Sequence, residues 1–377
     1  MHGEHTRRTH GKQRKATDST DSIDSTDSID PTDSIDPTDS IDSIDPLAYR
    51  AYELLTAGCM PLSLELENAI GEFAHTSGFT ERGGVVIDLD GTAVHEEDGR
   101  TMIPRPVELG LKALYDRGRP VVLNSLRFPL SVMRTFGKEW LAISNSPIPV
   151  VSMNGSQFGY VDRDNKGELC FEEVAAFPLT ANEIDAVIAG VDALIDDNIR
   201  DVLLFYYPRD WRMGEIIWTP VAEKVKHVKE KYASASAVTA VELDKLQQQL
   251  HHEEICMIFL LIERSADDLM AYQHSKPSSF FTTKGVDKLT GAQVAADYIG
   301  FDMTSSLGAG DTQMDSFLKS VGLAVQVGSA QLPFRGLMNT IRVANSFELG
   351  DVFFRLAGIQ ELENAIAIHE KHIGQTG

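Results

Sequence analysis

Val85-Val86-Ile87 runs without a break into Asp88-Leu89-Asp90-Gly91-Thr92. Three consecutive apolar residues leave no polar face. Such a strand belongs inside a parallel sheet covered by helices on both sides. Gly83-Gly84 mark its start, and carboxylates stand where it ends. The same grammar repeats downstream. Residues 106–117 read as a helix stopped by Gly118, and Pro120-Val121-Val122-Leu123 is a second short strand. Residues 129–140 are helical again, and Ile148 to Met153 is a third strand. Strand and helix alternating at this spacing predict an α/β, doubly wound Rossmann-like parallel sheet core. In such sheets the active site lies at the carboxyl ends of the strands.

The rhythm stops at residue 154 and resumes after Lys284. The strand-like runs between are Val202–Tyr207, Ile216–Trp218 and Ile255–Ile262, and the helical ones are Ala181–Leu194, Thr219–Tyr232 and Ala240–His251. This mixture predicts an inserted α+β cap domain. After it come a helix over 290–299, a strand ending at Gly308, a helix over Thr312–Val321 and a strand over Leu323–Val327. The expected division is therefore a tail over 1–46, a first core segment over 47–153, the cap over 154–282 and a second core segment over 283–377. In the tail, Asp recurs at every third position from Asp18 to Asp45. A period of three fits neither helix nor strand, and one charge per triplet leaves too little apolar surface to offset chain entropy, so the expectation is an acidic disordered segment.

The chain's 377 residues carry a net charge of −22. That argues against nucleic acid and against anionic membranes as partners, because both select basic faces. An anionic substrate would need local charge reversal by a metal, a lysine or a helix N-terminus. The three cysteines, Cys59, Cys170 and Cys256, are scattered, so a reducing, cytoplasmic setting is expected. No apolar run reaches the length of a membrane span, and no apolar stretch follows the basic N-terminus.

Four polar motifs fall at strand ends or helix starts. Asp88 can attack phosphorus directly, while Asp90, two residues on, can serve as general acid and then base. Taken alone, Asp-x-Asp-Gly is equally a turn. In Asn124-Ser125-Leu126-Arg127 a hydroxyl can meet a phosphoryl oxygen, or can simply cap a helix. Lys284-Gly285-Val286-Asp287-Lys288 offers a lysine to balance charge, or a solvated one. Gly308-Ala309-Gly310-Asp311-Thr312-Gln313-Met314-Asp315 places two carboxylates four apart, hard oxygen ligands suited to Mg²⁺.

Paired Asp, hydroxyl, lysine, paired Asp, in that order over residues 80–345, resembles the haloacid dehalogenase superfamily. The resemblance implies a phosphoric monoester phosphatase with Mg²⁺ as cofactor. It implies Asp88 as nucleophile and metal ligand, and Asp90 as acid/base and ligand. Thr92, Ser125, Arg127 and Lys288 would hold the phosphate, and Asp311 and Asp315 would serve the metal. Lys288 is preferred to Lys284 because the family's lysine opens the helix. A cap between the second and third motifs is similar to the branch of Cof-type sugar phosphatases, sucrose and trehalose phosphate phosphatases and phosphomannomutases. Leu126 and Met314 depart from that branch, where Gly and Asn are common. The expected partner is a small phosphate ester such as a sugar phosphate. The alternatives are a phosphomutase using the same aspartates, or a catalytically inactive binding protein. Substrate choice is expected from Tyr206, Tyr207, Arg209, Trp211 and Arg212 of the cap, where aromatic faces can stack on sugars and arginine can grip an anion; core packing is the competing role for the rings. His251-His252 is discounted as a metal site because neighbours on a helix or strand face apart.

Overall fold

A computed structural model describes residues 62–97, 100–262 and 280–375. The expectations for the acidic repeat, for the break near Gly58 and Pro61 and for Cys59 lie outside the described residues. The strands among the described residues are β1 (Val85–Ile87), the hairpin β2 (His95–Glu97) and β3 (Arg100–Met102), β4 (Val121–Asn124), β5 (Ile148–Ser152), β6 (Gln157–Arg163), β7 (Leu169–Ala176), β8 (Val202–Pro208), β9 (Ile216–Trp218), β10 (Ala237–Thr239), β11 (Ile255–Ile262), β12 (Phe280–Phe281), β13 (Leu307–Gly310), β14 (Leu323–Val327) and β15 (Asn339–Val343).

The larger sheet has the order β15-β14-β13-β1-β4-β5-β6-β7. From β15 to β5 every neighbouring pair is parallel. The apolar runs read from the sequence are these central strands, and β1, β4, β5, β13 and β14 are buried along their whole length. Alternate side chains feed two cores. Val85, Ile87, Val121, Leu123, Leu307 and Val325 pack one face, and Val86, Val122, Val151 and Ala324 the other. The chain winds outward from β1 to β4 and β5, then returns to lay β13, β14 and β15 on the opposite side of β1. Strand order therefore reverses between β1 and β13, and a crevice opens at their carboxyl ends.

Two antiparallel strands, β6 and β7, extend this sheet beyond β5. Residues 157–176, which the sequence places with the inserted segment, are thus hydrogen-bonded into the large sheet. The second sheet, β10-β9-β8-β11-β12, is mostly antiparallel. Helices Ala181–Asp196 and Leu243–His252 cover one of its faces through Ile184, Val187, Ile188, Leu246 and Leu250. Its other face packs Phe205, Tyr207, Ile217 and Met257 with Met153 and, at the edge, Phe128, both from loops at the carboxyl end of the large sheet. The insertion is therefore seated over the end of the sheet that holds the crevice.

Three helical expectations change. Residues 312–315 form a turn, followed by a short 3-10 helix over Ser316–Lys319, in place of a helix over 312–321. The helix expected from Thr219 begins at Val225, after a 3-10 turn. The helix expected over 129–140 runs on to Ser144 and carries a π turn at Met133–Gly137.

Candidate active site

Asp88 leaves β1 directly at the crevice. Its N–H donates to Ala309 O on β13 at 2.9 Å, which fixes its backbone between the two strands. The loop that follows doubles back, with Ala93 and Val94 N–H groups donating to Leu89 O at 3.0 and 2.9 Å. Gly91 makes this turn with φ +76°, and a Cβ there would strike the Asp311 carboxylate. A side chain at this position would meet both a backbone penalty and a steric one.

Asp311 sits just past β13. One ligand oxygen from each of Asp88, Asp311 and Asp315 lies within 4.8 Å of the others. Asp315 is fully buried and turns back over Gly310. Its Oδ2 accepts from the Asp311 N–H at 3.0 Å, the Thr312 N–H at 2.8 Å and the Thr312 hydroxyl at 3.2 Å. A Cβ on Gly310 would lie 2.6 Å from that carboxyl carbon. The turn, not a helix, brings the two carboxylates to one side.

Lys288 opens the helix Lys288–Ile299 and is 2 % exposed. Its ammonium donates to Asp88 Oδ1 at 2.5 Å and to Asp315 Oδ1 at 2.7 Å. Burial would lower its pKa, but the two carboxylates outweigh that and raise it. Lys284 instead gives its backbone N–H to Glu183. Asn124, fully buried, donates through Nδ2 to Lys288 O at 2.8 Å and so holds the start of the helix against β4. Sequence reasoning assigns Asn124 no role. A polar amide closing an apolar strand is the signal that could have found it.

Burial pushes the Asp88 carboxyl up. Lys288 pulls it down, and the charges of Asp315, Asp311 and Asp90 add to the rise. Asp311 is likewise raised, by burial first and Asp315 second, and it shares a hydrogen bond with Asp88. Two ionised carboxylates approach this closely only with a proton or a cation between them. Three carboxylates around one ammonium leave negative charge uncompensated in a buried place. An all-oxygen donor set of that charge fits a hard divalent cation.

Thr92 is buried and donates to Asp311 Oδ1 at 3.1 Å. Ser125 is buried at the end of β4, and its hydroxyl accepts the Arg127 N–H at 3.1 Å. Asp90 stands outside the carboxylate trio. Its side chain faces Arg127, with Nε donating to Oδ2 at 2.8 Å and Nη2 to Oδ1 at 2.5 Å. Asp88, Thr92, Lys288, Asp311 and Asp315 thus converge on one buried point, Asp90 and Arg127 form a pair beside it, and Ser125 supports the Arg127 backbone.

The cap aromatics do not act as one cluster. Successive residues on β8 face opposite ways. Tyr206 packs under the helices, and Tyr207 faces the core loops, its ring centroid 5.6 Å from that of Phe128. Its hydroxyl donates to Glu215 Oε2 at 2.7 Å. Arg209 is held between Glu173 and Glu254, Trp211 packs on the main core, and Arg212 stacks over Trp211 at 4.7 Å. His251 pairs with Asp185 rather than with His252.

The sequence pattern of haloacid dehalogenase-like hydrolases matches residues 85–334, a span that runs from β1 past the Asp311–Asp315 turn. The chain belongs to the haloacid dehalogenase-like hydrolases. Solved structures share the fold of this hydrolase. A haloalkanoate-superfamily phosphatase from Bacteroides thetaiotaomicron superposes with TM-score 0.52 and 15 % identity, covering 74 % of this chain and 97 % of its own. A subclass IIB sugar phosphatase superposes with TM-score 0.51 and 18 % identity, over 72 % and 96 %. A protein from Thermotoga maritima gives 0.51 and 15 %, over 73 % and 96 %. No curated protein sequence matches the chain. Among the described residues no helix is long and apolar enough to cross a membrane.

Proposed function

We propose that this hydrolase is a Mg²⁺-dependent phosphatase that releases inorganic phosphate from a small phosphate monoester, a sugar phosphate, through a phosphorylated Asp88. The observation that carries the reading is the gathering of Asp88, Asp311 and Asp315 oxygens within 4.8 Å, with Lys288 bridging two of them. Asp88, the Asp90 carbonyl and Asp311 would hold Mg²⁺, with Asp315 behind them. When bound, the ion would neutralise phosphoryl charge and orient the ester.

The chain's own groups do the rest. An Asp88 carboxylate oxygen attacks phosphorus, and the bond from phosphorus to the ester oxygen breaks. Asp90 gives that oxygen a proton as the alcohol leaves. Asp90 then takes a proton from the water that attacks phosphorus, and the bond to Asp88 breaks, freeing phosphate. Lys288, Ser125 and Thr92 bind the phosphoryl oxygens, and Arg127, expected from the sequence to join them, holds the Asp90 carboxylate instead. The second sheet, β8 to β12, with its covering helices acts as the cap that excludes water and selects the alcohol. The sugar-phosphatase neighbour and the position of the cap between Arg127 and Lys288 support this substrate class.

The test is a panel of sugar phosphates assayed for free phosphate with Mg²⁺. Release from one or more, lost in Asp88→Asn at unchanged folded content, is the expected outcome. Isomerised sugar phosphate without free phosphate would replace the reading with a mutase. Wild-type turnover by Asp88→Asn would remove Asp88 as nucleophile.

A further inference from the structure

We infer that Thr135, with Ser131, is a positioning residue for Asp90, acting through Arg127. This rests on the phosphatase reading above and extends it to a helix face outside the four motifs. The Arg127 guanidinium has all three nitrogens engaged. Nε and Nη2 grip the Asp90 carboxylate, and Nη1 donates to Thr135 Oγ1 at 2.8 Å and Ser131 Oγ at 3.3 Å. The Thr135 hydroxyl donates to Ser131 O at 2.7 Å. With its one proton committed there, the oxygen can only accept from Arg127.

The other end of Arg127 is equally fixed. Its N–H donates to Ser125 Oγ and its carbonyl accepts the Met153 N–H at 3.1 Å. Met153 adopts φ +51°, an uncommon conformation for a residue with a side chain, so this clamp is maintained against backbone strain. The guanidinium is thus stretched between a fixed backbone and a hydroxyl pair.

That pair exists because of local helix geometry. Ser131 and Thr135 are four apart and share one side of the helix, while Val132, Met133, Phe136 and Trp140 bury the other. Thr135 lies within the π turn Met133–Gly137. Single π turns inside helices are uncommon and cluster at functional sites. A guanidinium fork gripping a carboxylate in two places sets its plane as well as its distance. Asp90 must place one oxygen on the leaving-group oxygen, and that geometry is what the Thr135 contact governs.

The experiment compares kcat/KM for phenyl phosphate and 2,4-dinitrophenyl phosphate. This parameter reports steps through departure of the alcohol. Phenolate is a poor leaving group and needs a proton, whereas dinitrophenolate does not. Asp90→Asn is the reference and should depress the phenyl ester selectively. Thr135→Val should lower the phenyl-to-dinitrophenyl ratio by about tenfold, a fraction of what full loss of general acid catalysis costs. Thr135→Ser, which keeps the oxygen, should retain the wild-type ratio, and Ser131→Ala should shift it in the same direction as Thr135→Val but less. A wild-type ratio in Thr135→Val, or equal loss in Thr135→Ser, overturns the inference. Should Thr135→Val not fold, an unshifted ratio in Ser131→Ala overturns it. Wild-type hydrolysis of both esters by Asp88→Asn would instead remove Asp88 as nucleophile, and no hydrolysis of either ester by the unaltered protein with Mg²⁺ would sink the phosphatase reading itself.

Discussion

Lys288 Nζ lies 2.5 Å from Asp88 Oδ1, and neither side chain is more than 5 % exposed. The pair joins the first central strand to a helix that begins two hundred residues later. It is buried, so its Coulomb attraction is little screened, but taking both charges out of water is costly. A pair of this kind is weak evidence of stability and stronger evidence of chemistry.

Replacing Lys288 therefore has two consequences. Lys288→Met should reduce phosphate release by about 100-fold or more, since it removes a preorganised donor from the site. It also strands Asp88 and Asp315 without an ammonium, a loss of about 3–5 kcal/mol for a broken buried pair. Thermal melting in EDTA should show that full loss, and melting in Mg²⁺ a smaller one, because the cation partly replaces the missing charge. An equal loss in both buffers would argue against a cation beside Lys288.

The uncompensated carboxylates predict metal stabilisation without any substrate. Mg²⁺ at a hundredfold excess over its Kd should raise stability by about 2.7 kcal/mol, read as an increase in Tm over an EDTA control. Asp311→Asn should abolish the increase. A rise of the same size in that variant would place the ion elsewhere.

Much of this geometry is legible in the sequence because buried strands announce themselves. Val85–Ile87, Val121–Leu123 and Leu323–Val325 are continuous apolar runs, and polar residues at their ends have to gather at one edge of a parallel sheet. Strands with polar faces give no such signal. β6 and β7 carry Gln157, Asp162, Glu172 and Glu173, and β15 carries Asn339 and Arg342, so their pairing with the large sheet emerges only in three dimensions. The Asp311–Asp315 turn reads as a helix because four-residue spacing suits both. Three hydrogen bonds into one carboxylate oxygen decide for the turn. The Arg127–Asp90 grip joins residues 37 positions apart and depends on a helix face that periodicity alone reads as ordinary.

A second carboxylate ties together the two stretches of chain that enter and leave the inserted domain. Burial pushes Glu183 up, but hydrogen bonds from the Thr180 and Lys284 N–H groups and the Thr283 and Thr180 hydroxyls outweigh it and hold the group at about 2. A folded pKa below the unfolded one, about 4.3, contributes stability above that value and loses it as pH falls toward about 2. Because the group is partly exposed, the contribution is on the order of 1–2 kcal/mol after screening. Glu183→Gln should be less stable at neutral pH and show a flatter decline between about pH 4 and pH 2. Urea midpoints across that range check it, and parallel curves for variant and wild type would refute it.

The proposed reaction requires a phosphoryl group to rest on one carboxylate. The direct measurement is to quench the enzyme during turnover of a phosphate ester, reduce with borohydride, and map the product by peptide mass spectrometry. Acyl phosphates are reduced to alcohols, so homoserine at position 88 is the predicted result, absent without substrate. Homoserine at another aspartate, or turnover with position 88 unmodified, would contradict it.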